Sequence, residues 1–204
     1  KYHVGATGTF TTGKGKKLAL HLVSNPSHLE AVDPVAMGRA YAKQRRYGAD
    51  GRERLLLVVI HGDAAFAGQG VWAETMNLGG LEGYSVGGGI HIIANNLIGF
   101  TAEPDEYNSS RFSSDLARRL PVPIFHVNAE DVDAVIRVAA LAVEYRYRFH
   151  TDVVIDLIGY RRHGHSEVDD PTITQPLRYR KIQSHPLLYE IFARKTGSAR
   201  QRRR

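Results

Sequence analysis

Two short stretches of this sequence carry residue types suited to holding a phosphate and a divalent cation together. The first is His61-Gly62-Asp63-Ala64-Ala65-Phe66-Ala67-Gly68-Gln69-Gly70. Its small residues let a ligand approach the backbone closely. A helix expected over 69–78 turns free amides and the positive end of its dipole toward the loop. Asp63 would repel a phosphate unless a cation lay between them, and magnesium takes oxygen ligands from carboxylates, amides and phosphates at once. The second stretch is Asn95-Asn96-Leu97-Ile98-Gly99-Phe100, and thirty residues, 65–94, separate it from Ala64. That interval is one helix plus one strand, so the two loops are expected side by side at one edge of a sheet. The Asp63 carboxylate, the Asn96 side-chain oxygen and a nearby backbone carbonyl would supply three hard ligands. Singly, Gly-Asp and Asn-Asn are common turn pairs; the signal is their separation on consecutive strand ends.

Histidines form the other reactive set. His163 and His165 flank Gly164 after a strand, with no third soft ligand at a sensible spacing for a metal. They read better as a loop near phosphate or substrate, where imidazole donates hydrogen bonds or a proton; a surface loop pinned by Arg161 and Arg162 is the plainer alternative. His28, in Asn25-Pro26-Ser27-His28-Leu29-Glu30, follows a strand and is either a loop residue satisfied by backbone or a substrate contact. His3 lies in a Gly-rich segment with no periodicity to place it. Trp72 and Glu74 read as packing and helix-surface residues, and Arg111, Arg118 and Arg119 as a solvated face.

These residues are carried by alternating strands and helices. Strands are expected at 18–23, 55–60, 89–94, 122–127 and 153–158. Helices are expected at 33–46, with Asp33 as N-cap and Pro34 at the first helical position, at 69–78, and at 131–148. The last has an apolar stripe of Val132, Val135, Ile136, Ala139, Ala142 and Val143. Its acids lie early and Arg146, Arg148 and His150 late, matching the macrodipole. The continuous apolar run Leu55–Ile60 predicts a strand covered on both faces. The expected class is α/β, a mostly parallel sheet with helices on both faces and ligands beyond the carboxyl ends of its strands. Gly87-Gly88-Gly89 precedes a strand rather than opening a helix, so a dinucleotide-binding Gly-x-Gly-x-x-Gly context is absent.

The 204 residues are 43% apolar and 24% charged, a globular mix. No apolar run approaches the ~20 residues of a membrane span, and there is no cysteine, which excludes disulfides and thiolate chemistry. The net charge of +6 is a property of one end: six basic residues and no acid lie between Arg194 and Arg204, leaving 21 basic against 21 acidic residues elsewhere. Such a tail would serve a nucleic-acid binder, but a neutral body argues against one. Residues 1–190 are expected to form one domain and 194–204 a disordered basic tail. The absence of an initial Met suggests a fragment.

Gly62-Asp63-Ala64, thirty residues and Asn95-Asn96 together resemble the thiamine diphosphate motif. Lys1-Tyr2-His3-Val4-Gly5, Asn25 to Glu30, Gly62 to Gly70, Asn95 to Thr101, Pro123-Ile124-Phe125-His126-Val127-Asn128 and Tyr160 to Glu167 resemble the first, decarboxylating component of 2-oxoglutarate dehydrogenase, over residues 1 to about 190. The resemblance implies a thiamine diphosphate-binding fold, with thiamine diphosphate and Mg2+ as cofactors. Asp63 and Asn96 would bind the metal by side chain and Ile98 by its carbonyl. Ala64 and Ala65 would meet the diphosphate through their backbone. Ser27 and Leu29 would line the cofactor and substrate side, His3 and His28 would handle the 2-oxo acid, and His163 and His165 would stand at the mouth. It further implies a small 2-oxo acid substrate, a lipoyl-bearing acyltransferase partner, a homodimeric full-length enzyme, no nucleic acid or membrane partner, and a bacterial cytoplasmic or mitochondrial matrix location. A paralogue acting on 2-oxoadipate, or a carboligase, would share the same loops. The family's His-Arg-Gly-Arg segment and its pyrimidine-binding domain, with the activating glutamate, are not among these residues, so little or no turnover is expected of this chain alone.

Overall fold

The computed structural model describes residues 2–166 and 168–201. The chain opens with β1 (Tyr2–His3), the hairpin β2 (Ala6–Thr11) and β3 (Lys17–Leu22), and β4 (Asn25–Pro26). Then come α1 (Val32–Arg46), a 3-10 turn, α2 (Gly51–Arg54), β5 (Leu57–Gly62), α3 (Asp63–Gly68), α4 (Gly70–Gly79) and β6 (Gly89–Asn95). A loop carrying α5 (Pro104–Tyr107) and a 3-10 helix (Ser113–Arg119) leads to β7 (Ile124–Asn128), α6 (Val132–Phe149) and β8 (Val153–Ile158). The chain closes with α7 (Pro171–Thr174), α8 (Pro176–Ser184) and α9 (Leu188–Gln201).

Four strands form a parallel sheet in the order β5-β6-β8-β7. Their period-two alternation divides the core. Ile90, Val127, Val153 and Ile155 pack under Ala142 and its neighbours on α6. Ile93 and Val154 pack on the opposite face with Phe66, Trp72 and Met76 of α3 and α4. Helices therefore cover both faces, as the sequence predicts.

Three expectations about these elements need correction. The 18–23 segment forms an exposed antiparallel hairpin with β2, outside the parallel sheet. The 55–60 run is not covered on both faces: Val58 and Ile60 are 48% and 71% exposed, because β5 is a sheet edge and α6 packs over β6, β7 and β8. The buried stripe of α6 is Val135, Val138, Ala142 and Tyr145, while Ile136 and Val143 are exposed. Its N-cap is Asp131, whose side chain accepts from the Ala134 amide. Residues 194–201, in the segment expected as a basic tail, lie in α9, where Lys195 Nζ is 3.1 Å from both Asp131 and Asp133 at the start of α6. Arg202, Arg203 and Arg204 lie outside the described residues.

Arg146, in the last turn of α6 as expected, is fully buried. Its guanidinium donates to the carbonyls of Gly88 (3.0 Å), Arg52 (2.6 Å), Leu55 (3.3 Å) and Val86 (3.0 Å). It ties the segments just before β5 and β6 to the end of α6. Gly88 beside it has φ +77, and a Cβ there would meet the Thr151 carbonyl at 2.1 Å, so only glycine fits.

Candidate functional site

Parallel pairing sets the geometry of the site. Gly62 at the end of β5 stands opposite Ala94 of β6, so the two loops leave the sheet at the same carboxyl edge. Asp63 is the first residue of α3 and is 2% exposed. Its Oδ2 accepts from the Leu97 amide (3.0 Å) and from the Tyr107 hydroxyl (2.7 Å). The first bond places the carboxylate against the residue that follows Asn96. Burial pushes the Asp63 carboxyl up, and the hydrogen bonds from Tyr107 and the backbone work against that shift. Asn96 Oδ1 is buried with no hydrogen-bond partner. A buried amide oxygen without a donor is costly, and a hard cation beside Asp63 would satisfy it. Carboxylate, amide oxygen and backbone carbonyl are the donor types magnesium takes, so the residues fit that ion.

The loop after β6 is held in shape around this point. Leu97 and Phe100 have left-handed backbones, φ 59 at each. Gly99 and Ala102 exchange backbone hydrogen bonds. A Cβ on Gly99 would come within 2.7 Å of the Tyr107 ring and 3.1 Å of Ala64 Cβ, so the missing side chain lets the loop close on α3. Arg178 of α8 donates to the Leu97 carbonyl and reaches Glu103 at 3.7 Å. Ile98 is buried, and Ala64 and Ala65 are half-buried.

The other predicted residues fall into two groups. His3 pairs with Asn25 across β1 and β4, which brings its exposed side chain to the segment bearing exposed Ser27, His28 and Leu29. This segment is tied to the base of the Asp63 loop, because Glu30 Oε2 lies 2.6 Å from His61 Nδ1. His163 and His165 are exposed beside a cavity of about 680 Å³ that Arg161, Arg162, Asp169 and Tyr179 also line. The His165 ring meets Phe100 edge-to-face at 5.0 Å, joining that loop to the one after β6. As expected, Trp72 is buried, stacking on Phe66, and Glu74 is exposed.

Sequence reasoning missed several groups at or near the site. Tyr107 and Arg178 act from 44 and 81 residues away in the chain, which no local pattern signals. Asp33 is not an N-cap: α1 begins at Val32, and the Asp33 side chain is buried, with Oδ2 3.8 Å from His61 Nδ1. A second polar centre surrounds buried Asp156 of β8, which accepts from Asn95 Nδ2 (3.0 Å) and Ser114 (2.8 Å) and lies 3.0 Å from His126 Nδ1. The available signal was polar residues at inward positions of otherwise apolar strands: His61, His91 and Asp156.

The dehydrogenase E1 component family matches residues 4–199. The chain is similar to the 2-oxoglutarate dehydrogenase E1 component of Bacillus velezensis, 48% identical over 203 residues, which is 97% of this chain and 22% of that protein. It is similar to the protein of the same description from Staphylococcus aureus, 50% identical over 200 residues, 96% of this chain and 22% of that one. The chain thus spans about a fifth of the length of the curated relatives it matches. With a four-stranded parallel sheet flanked by helices and a match over nearly its whole length, the chain belongs to the dehydrogenase E1 component family.

Proposed function

We propose that this chain forms the diphosphate- and metal-holding part of a thiamine diphosphate-dependent enzyme that decarboxylates 2-oxoglutarate. The enzyme passes the succinyl unit to a lipoyl group on a partner acyltransferase. The observations that carry this reading are the Asp63 carboxylate bonded to the Leu97 amide and, on the preceding residue, an Asn96 amide oxygen that is buried and unpartnered. The names of relatives 48–50% identical support the choice of 2-oxo acid.

Asp63, Asn96 and the Ile98 carbonyl would hold Mg2+, and the backbone of Ala64 and Ala65 would face the diphosphate. When bound, thiamine diphosphate supplies the nucleophile and the electron sink for loss of carbon dioxide. The chain's own residues bind, orient and exclude water. Tyr107 and the Leu97 amide orient the Asp63 carboxylate. His3 and His28 stand on the substrate side as proton-handling groups, with Ser27 and Leu29 beside them, and His163 and His165 line the approach. The reading also includes a homodimer in the full-length enzyme, a pyrimidine-binding domain from other residues, and a bacterial cytoplasmic or mitochondrial matrix setting.

Asp63→Ala or Asn96→Ala in a full-length relative is expected to abolish magnesium-dependent cofactor binding by calorimetry; unchanged binding would refute the metal assignment. His3→Ala should reduce the decarboxylation rate more than it weakens cofactor affinity. A variant with an unaltered rate removes His3 from the mechanism.

A further inference from the structure

We propose that Glu30, Asp33 and His61 form a second, structural cation site for a borderline divalent transition ion, best fitted by zinc. All three residues are buried, and one ligand atom from each lies within 4.8 Å of the others. Asp33 points to an occupant. It is 1% exposed, and both its carboxylate oxygens are buried without a donor. What faces it is a second carboxyl, Glu30, with which it can share only a proton or a cation. An unpaired carboxylate in such a place is expensive. A dication would neutralise both carboxylates and leave the cluster uncharged.

The spacing suits a small tetrahedral ion. Ligands about 2.1 Å from such an ion lie roughly 3.4 Å apart. His61 Nδ1 is 3.8 Å from Asp33 Oδ2, close to that separation, and 2.6 Å from Glu30 Oε2, a hydrogen bond that widens slightly when an ion replaces the shared proton. An imidazole in the set selects a transition ion over magnesium, which prefers oxygen and retains its waters. Ligating imidazoles donate their other N–H to a fixed acceptor, and that support is already built. His61 Nε2 lies 3.0 Å from His91 Nδ1, and His91 Nε2 lies 3.6 Å from Asp152 Oδ1. With a metal on His61 Nδ1, Nε2–H would donate to His91 Nδ1, leaving the His91 proton on Nε2, the nitrogen 3.6 Å from Asp152 Oδ1. Glu30 itself has φ 64, a left-handed backbone unusual for its type. The ion would pin the turn carrying Ser27, His28 and Leu29 to β5, which ends at Gly62, one residue before Asp63.

The test is metal content. The chain is unfolded in EDTA, refolded with Zn2+ and dialysed against magnesium buffer. Wild type is expected to retain one equivalent of zinc by elemental analysis. Asp33→Asn and Glu30→Gln, checked for folding by circular dichroism, should lose it, whereas Asp63→Asn should keep it. Failure of wild type to retain zinc, retention by folded Asp33→Asn and Glu30→Gln, or loss in Asp63→Asn would each overturn the proposal. Should the variants fail to fold, anomalous diffraction from zinc-loaded wild-type crystals decides. A peak among Glu30, Asp33 and His61 supports the site, and a peak elsewhere sinks it. None of these outcomes depends on cofactor binding at Asp63 and Asn96.

Discussion

At the residue scale, burial moves protons inside the Glu30–Asp33–His61–His91 cluster. In the metal-free protein, desolvation raises the Asp33 carboxyl to about 7. Desolvation, reinforced by neighbouring His91, lowers His61 to about 3. Folded Asp33 therefore keeps a proton that the unfolded chain releases near pH 4, so its contribution makes stability fall as pH rises from about 4 to about 7. Glu30, also raised by burial, acts in the same direction. Folded His61 lacks a proton that the unfolded chain holds below about 6.5, so its contribution makes stability rise between about pH 3 and 6.5. The two effects oppose each other. Asp33→Asn should unmask the second: with chelator present, its urea midpoint should climb with pH over that window more steeply than that of wild type. Parallel profiles for the two proteins would show that the proton is not held where the geometry suggests. Tyr107→Phe removes one of two donors to Asp63 Oδ2. It is expected to cost about 1 kcal/mol of stability in denaturant titration.

At the element scale, Arg146 is the clasp between α6 and the amino ends of the sheet. Arg146→Ala would strip donors from four buried or half-buried carbonyls and should destabilise by at least about 3 kcal/mol, read as a lowered urea midpoint. An Arg146→Ala protein within a few tenths of wild type would mean that water replaces the guanidinium freely. The tail helix is different. Its contacts with the body include ion pairs from Lys195 to Asp131 and Asp133, all three residues well exposed, and exposed pairs contribute only about 0–1 kcal/mol. Truncation after Thr196 keeps Lys195 and should leave cofactor binding intact; loss of binding would give α9 a role its position does not suggest.

At the scale of the whole molecule, the chain covers about a fifth of its relatives and holds one side of the proposed site. Added Mg2+ and thiamine diphosphate should raise its melting temperature without measurable succinyl transfer; turnover like that of a full-length relative would show that these residues suffice. The sequence alone determined the alternation that makes the α/β sheet, the loops that bear Asp63 and Asn96, and the neutral body beneath a basic end. Each depends on spacing along the chain, and parallel pairing converts a helix-plus-strand interval directly into neighbouring loops. Only the tertiary structure decided that the 18–23 strand leaves the sheet, that Ile60 faces outward, that Arg146 turns inward, and that Asp33 serves a buried cluster rather than a helix cap. Those outcomes depend on which distant element arrives beside a residue. A carboxylate or guanidinium takes its role from the donors, acceptors and water that packing leaves around it, and its nearest residues in the chain do not set these.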